Sequence, residues 1–162
     1  MRLIGSGAIL REVIAAADML AADWNVASEV FSATSFSELA REAAEVERVN
    51  RLQPREPPRV GHVAKLLAGR APIVAASDYV RACPLRIAGY IEARFTALGT
   101  DGFGRSDTRT ALRRFFEADR RHIALAALDA LSLEDGTLGR NTLVEAIKRY
   151  GVDADAPPPW MR

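Results

Sequence analysis

R-L-I-G-S-G-A-I-L-R-E-V-I-A-A-A-D-M-L-A-A-D-W, residues 2 to 24, reads as a short strand that opens at once into a glycine turn and a long helix. Arg2-Leu3-Ile4 is the strand and Gly5-Ser6-Gly7 the turn. From Ala8 to about Trp24, the residues Ile9, Leu10, Val13, Ile14, Ala17, Leu20 and Ala21 recur at the three-and-four spacing of one buried helical face. A strand that feeds a helix of this length returns to a parallel neighbour through a right-handed crossover. If the pattern repeats along the chain, the fold is an open α/β sheet.

It does repeat. Asn25-Val26 breaks the first helix, and Ser28 to Ala33 forms a second strand centred on Val30 and Phe31. Ser35 answered by Glu38 is a capping box, which starts a charged surface helix running to about Arg51. Pro54, Pro57 and Pro58 end it in a stiff surface crossing. A short helix, His62 to Ala68, leads through Gly69 and Pro72 to a third strand, Ile73 to Ala76. Ser77-Asp78 can cap a helix from Tyr79 to about Ile91, and Phe95 to Leu98 is the fourth strand. Helices follow from Asp107 to about Phe116, from Asp119 to Leu131 and from Asn141 to Tyr150, where Gly151 stops the last one. The expected fold is α/β, a three-layer open sheet of four parallel strands with helices on both faces. It occupies residues 1–152. Residues 153–162 form a Pro-rich tail, and Pro157-Pro158-Pro159 excludes helix or sheet pairing there.

Composition narrows the function. The 162 residues are 49% apolar and 27% charged, which suits one globular domain burying roughly 70% of its unfolded surface. A net charge of +1 gives no field that points to nucleic acid or an anionic membrane. There is no apolar run of about 18 residues, hence no expected membrane span. Met1 to Ile4 is too soon interrupted by glycine to read as a signal peptide. Cys83 is the single cysteine, so no internal disulfide can form, and a cytosolic setting fits. Beside Pro84 in an apolar neighbourhood, it reads as a buried structural thiol.

Ligands of open α/β sheets sit at the carboxyl ends of the strands. Three features gather there: Gly5-Ser6-Gly7, Asp78, and the loop Leu98 to Arg109, L-G-T-D-G-F-G-R-S-D-T-R. In that loop Gly102 and Gly104 free the backbone to turn, with Asp101, Phe103 and Arg105 strung between and beside them. Phe103 reads either as a residue tucked under a tight turn or as part of a functional loop. Gly5-Ser6-Gly7 before a helix resembles a phosphate cradle. However, the dinucleotide fingerprint needs a glycine where Leu10 stands and an acid near Phe31-Ser32, so a ligand-free tight turn is the simpler reading. Arg105, Arg109, Arg113, Arg114, Arg120 and Arg121 make a basic cluster that can receive an anion or simply line a solvated helix face. His62 and His122 lie on different elements with no ligand-spaced partners, so no metal site is expected, and His122 reads as a partly buried rim residue. No nucleophile, base and oxyanion hole come together. The chain on its own does not look catalytic.

The loop Leu98 to Arg109 closely resembles a stretch in the C-terminal domain of the homodimeric, thiamine-dependent decarboxylating component of bacterial pyruvate dehydrogenase. Other pieces agree in order and spacing: Leu3 to Arg11 (L-I-G-S-G-A-I-L-R), Val30 to Leu39 (V-F-S-A-T-S-F-S-E-L), Glu47 to Asn50, Pro57 to Val60, Ser77 to Tyr79, and Arg113 to Asp119 (R-R-F-F-E-A-D). The likeness covers nearly the whole chain. Val49 and Gln53 depart from it, where tryptophan and histidine are expected, which touches the contacts of that crossing segment.

The resemblance implies a transketolase-type third domain, excised from or encoded apart from its neighbours. Its sheet would run in the order second, first, third, fourth strand, with the family's antiparallel edge strand, which precedes Arg2, truncated and the second strand's edge left open. Thiamine diphosphate and magnesium would belong to the full-length enzyme, between its first two domains, with none held here. The full enzyme would decarboxylate pyruvate and acetylate lipoyl groups on the dihydrolipoyl acetyltransferase. It would be a cytoplasmic bacterial homodimer that engages neither nucleic acid nor membrane. No catalytic, cofactor or metal residue falls in this chain. The domain would support dimer and interdomain assembly, with Phe103 as anchor and Asp101 and Arg105 orienting the loop. The competing reading is an anion- or nucleotide-binding regulatory module using Gly5, Ser6, Gly7 and Arg109. A lesser one is the matching domain of a transketolase.

Overall fold

Two strands with buried apolar centres, β1 (Arg2–Ser6) and, far along the chain, β3 (Ile73–Ser77), lie side by side at the centre of one parallel sheet. A computed structural model describes residues 1–134 and 138–162. Within them, β2 (Glu29–Ser32) and β4 (Phe95–Leu98) complete the order β2-β1-β3-β4, all parallel. The four-strand order and direction match the expectation from sequence.

Leu3 stands opposite Val74 and Ile4 opposite Ala75. Because side chains alternate along a strand, this register builds two cores at once. Leu3, Val74 and Ala76 face one layer, against Val13, Ala16 and Leu20 of α1 (Leu10–Trp24). Ile4, Ile73 and Ala75 face the other, against Phe36 and Ala40 of α2 (Phe36–Leu52) and Val63 of α3 (His62–Leu66). Between β3 and β4 the one α-helix is α4 (Ala82–Leu85), and after β4 come α5 (Arg109–Phe115), α6 (Arg120–Glu134) and α7 (Arg140–Tyr150). Ile123, Ala124, Ala127 and Leu128 of α6 join the first core, with Ala146 and Tyr150 of α7 behind them.

Local chemistry sets the helix ends. Asn25 takes a left-handed φ of 54° and its N–H returns to the Ala21 carbonyl, closing α1. The Ser35 hydroxyl accepts from the Glu38 amide at 3.2 Å and caps α2, whereas the Glu38 carboxylate pairs with Arg41, so only the Ser35 half of the expected capping box forms. Gly151, at φ 61°, closes α7. Trp24 and Tyr150 meet edge to face across these helices, and the indole N–H donates to the phenol oxygen at 2.7 Å.

Two expectations need correction. No continuous helix runs from Tyr79 to Ile91: only α4 and a 3-10 turn at Ala88–Tyr90 form. The Ser77 hydroxyl takes the Tyr79 amide, and the Tyr79 carbonyl is claimed by the Thr100 amide at 2.9 Å, so the backbone is spent on bridging loops before a helix can start. Pro84, with no N–H to donate, further restricts helical bonding through this segment. The tail also holds one helical turn, a 3-10 turn at Pro159–Met161, because proline is tolerated in a first turn, where its missing N–H has no partner to lose. Among the described residues no helix is long and apolar enough to cross a membrane.

Candidate functional site

The carboxyl ends of β1, β3 and β4 converge on Arg113, which the sequence offered either as part of an anion-receiving cluster or as one of a solvated helix face. Instead it is buried, 7% exposed. Its guanidinium donates through Nε and Nη2 to the two oxygens of Asp78, at 2.9 and 2.8 Å, the bidentate geometry arginine favours. Nη1 also lies 3.8 Å from the carboxylate of Glu12, in the first turn of α1. Glu12 in turn accepts from Arg120 at 2.9 and 3.0 Å and from the Arg120 backbone N–H at 3.1 Å. The Arg120 hydrogen bond, more than any other cause, holds the Glu12 carboxyl below its ordinary range. Two arginines and two carboxylates thus neutralise one another. Part of what reads in sequence as a basic cluster is an internal network tying α1, β3, α5 and α6 together.

The glycine loop is pinned by short-range chemistry at both ends. On leaving β4, Gly99 packs so closely on the backbone of Tyr79 to Arg81 that a Cβ would lie 2.7 Å from the Arg81 nitrogen. The Thr100 hydroxyl donates to the Asp78 carbonyl at 3.1 Å. Asp101 accepts the Arg81 backbone N–H at 2.8 Å and pairs with the Arg81 side chain. Burial works to raise the Asp101 carboxyl, but the hydrogen bonds and charge of Arg81 win and hold it below its usual range. Further on, Arg105 donates to the backbone carbonyl of Arg162, and its guanidinium lies 4.9 Å over the Phe115 ring.

Phe103, at the tip, is 84% exposed, which decides between the two readings of the loop: it is not tucked into the core. Tyr79, Val80, Trp160 and Met161 are exposed large apolar residues on the segments that touch this loop or run on from them. Isolated exposed apolar residues are ordinary; here several lie on adjoining segments at one end of the sheet.

The other residues that stood out in the sequence fall elsewhere or take other duties. Gly5 lies within β1, and a Cβ there would meet the Leu10 Cα at 2.9 Å, so this glycine serves strand-to-helix packing. Ser6 ends the strand, and Gly7 turns at φ 71°. Ala8, next in line, and Arg109 both border a hollow of about 600 Å³ beside Asp78 and Arg113. His122 is largely buried, its ring 2.7 Å from Asp119. Cys83 is half-buried against the second core rather than fully buried. Glu12, Arg81 and Trp160 did not stand out in the sequence. The partners of Arg81 and Glu12 lie 20 and 108 residues away, and no spacing rule announces such pairs.

The family model described as the transketolase-like TK C-terminal domain matches residues 1–119. The chain belongs to that family. The solved structure described as "Split gene transketolase, inactive beta4 tetramer" superposes with a TM-score of 0.52 at 16% identity, covering 82% of this chain and 39% of that one, which shows the shared fold. Among curated relatives, the pyruvate dehydrogenase E1 component of Cupriavidus necator is 53% identical over 160 residues, 98% of this chain. Those of Pseudomonas aeruginosa and Escherichia coli are each 43% identical, again over 98% of the chain. In all three the chain spans 18% of the relative's length. The transketolase-like C-terminal domain ends, in the family model, at Asp119, so α6, α7 and the tail lie beyond the matched stretch.

Proposed function

We propose that this chain serves as the C-terminal domain, residues 1–152 with their tail, of a pyruvate dehydrogenase E1-type enzyme. In that enzyme pyruvate is decarboxylated with thiamine diphosphate and magnesium, and acetyl groups pass to lipoyl groups of a dihydrolipoyl acetyltransferase in the bacterial cytoplasm. The chain's own part is assembly: it packs against the other domains of its subunit and supports a homodimer. The 53% identity to one E1 component over 98% of the chain supports the family placement of the whole enzyme. The observation that carries the role is Phe103, 84% exposed on a loop held on either side of it through the side chains of Asp101 and Arg105. A pinned apolar tip loses little conformational freedom on docking, so most of its burial energy is kept for the contact.

The donor set at this end of the sheet does not suit a magnesium-bound diphosphate. Glu12, Asp78 and Asp101 are each engaged by arginine, and releasing one would leave a buried or half-buried guanidinium unpaired. We therefore assign no chemical step to this chain. Asp101 and Arg105 orient the loop through Arg81 and the tail, and Phe103 makes the contact.

The test is Phe103→Ala and, separately, Arg105→Ala in the full-length enzyme, read by sedimentation-equilibrium dimer affinity and by turnover. Burying a phenylalanine side chain is worth about 1.5 to 3 kcal/mol, or roughly ten- to a hundredfold in an association constant. Weaker dimerisation or domain docking with each variant is the expected result. Unchanged assembly and turnover in both would remove the assembly role.

A further inference from the structure

We propose that residues 157–162 are a strap that holds the glycine loop in the conformation that presents Phe103. The strap touches the loop twice, once on each side of that residue. Before it, Gly102 stands at φ 112°, and a Cβ there would lie 2.9 Å from the Trp160 Cα. Only glycine permits both that dihedral and that approach. After it, Arg105 donates to the Arg162 carbonyl. Phe103 is the exposed tip between two fixed points.

Arg81 joins strap to loop from below. Its side chain pairs with Asp101 while its guanidinium lies 4.8 Å from the centre of the Trp160 ring, so one cation serves a loop carboxylate and a tail aromatic together. The far end of the strap is anchored to α5 and the turn after it. Arg162 pairs with Glu117 at 2.6 Å and lies 5.3 Å over the Phe115 ring, which Arg105 also covers. Glu117 itself sits at φ 56°, so its side chain is directed by a backbone turn that a non-glycine residue seldom adopts.

The proline triplet fits this duty. Pro158 is extended at φ −61° and ψ 151°, and Pro159 is buried at the start of the 3-10 turn. Three successive prolines are stiff before docking, so ordering them costs little entropy, whereas a flexible tail of the same length would resist being fixed. Trp160 then reaches Gly102 with the chain already extended. The hold of the strap on the loop does not depend on what Phe103 contacts, so its test is separate from that of docking.

The experiment is hydrogen exchange by mass spectrometry on the full chain, on the chain ending at Ala156, and on Trp160→Ala. The reporters are the backbone amides of Arg81 and Thr100, which bond to Asp101 and Tyr79 and so record attachment of the loop. Loss of the strap is expected to speed their exchange about tenfold, with amides in β1 and β3 unchanged. Trp160→Ala should give the same pattern at smaller amplitude, and it keeps the rest of the tail in place should the shortened chain fold poorly. Unchanged exchange at Arg81 and Thr100 in both variants would overturn the proposal. Equal acceleration throughout the sheet would overturn it too, since the tail would then be a general stabiliser.

Discussion

Replacing Arg113 with alanine strikes the point where three strand ends and three helices meet. The side chain is 8% exposed and donates two hydrogen bonds to Asp78, with Glu12 3.8 Å away. Removing one partner of a buried ion pair typically costs about 3 to 5 kcal/mol, because the other charge is left without compensation. Two features of the site place this case at the lower end. Asp78 is about one-third exposed (34%), so water can reach its carboxylate, and Glu12 keeps both bonds from Arg120. The expected loss is therefore about 3 kcal/mol, equivalent to about 6 to 12 °C in Tm for a chain of this size. Thermal unfolding followed by circular dichroism measures it directly. A double-mutant cycle with Asp78→Asn isolates the pair, and a coupling of about 1.5 kcal/mol or more is expected from residues in direct contact. If Arg113→Ala cost less than about 1 kcal/mol, the network would behave as a solvated surface pair, and the argument for a built, charge-balanced centre would fail.

Two further predictions concern the loop and acid stability. Gly99→Ala drives a methyl into the backbone of Tyr79 to Arg81, which cannot yield like a side-chain tip, and should cost about 2 to 3 kcal/mol. Gly104→Ala, with nothing within 4 Å of the new methyl, is the matched control and should cost under about 1 kcal/mol; equal losses in chemical denaturation would refute the close-approach reading. Glu12 and Asp101 both have folded-state carboxyl pKa values below their ordinary values of 4.5 and 3.8. The stability they contribute is fully present above those ordinary values and is lost as pH falls through the depressed ones. Urea denaturation should thus show a stability nearly constant from neutrality to about pH 5 and a decline below it, a decline that Glu12→Gln makes shallower. Stability that rises on acidification across that range would contradict the assigned ion pairs.

Much of the architecture was legible in the chain because it rests on short-range rules. The three-and-four spacing from Ile9 to Leu20 specifies a helix that buries Ile9, Val13, Ala16 and Leu20, although Ile14, expected on the same face, is left exposed; the apolar runs Leu3-Ile4 and Ile73 to Ala76 can only be central strands. Ser35 with Glu38, and Gly151 after Tyr150, mark helix ends by chemistry contained within a few residues. The resemblance around Leu98 to Arg109 led to the right family for a related reason: a glycine-punctuated loop is recognisable as a string of letters.

Other features depend on pairs brought together by the finished fold, and these lay outside the reach of the sequence. Five arginines along α5 and α6, with Arg105 on the loop before them, look alike as letters. Only the placement of Glu12 and Asp78, 101 and 35 positions before Arg113, makes that one a buried ion and leaves Arg109 at the rim of a hollow. A helix from Tyr79 to Ile91 was reasonable by local propensity, yet bonds to Thr100 and Asp101 claimed its first turn. The tail looked like an unstructured end until Trp160 met Gly102 and Arg81. Periodicity and turn chemistry act over a few residues and were therefore determined by the sequence alone; charge pairing and close backbone approach act through space, and the tertiary structure decided them.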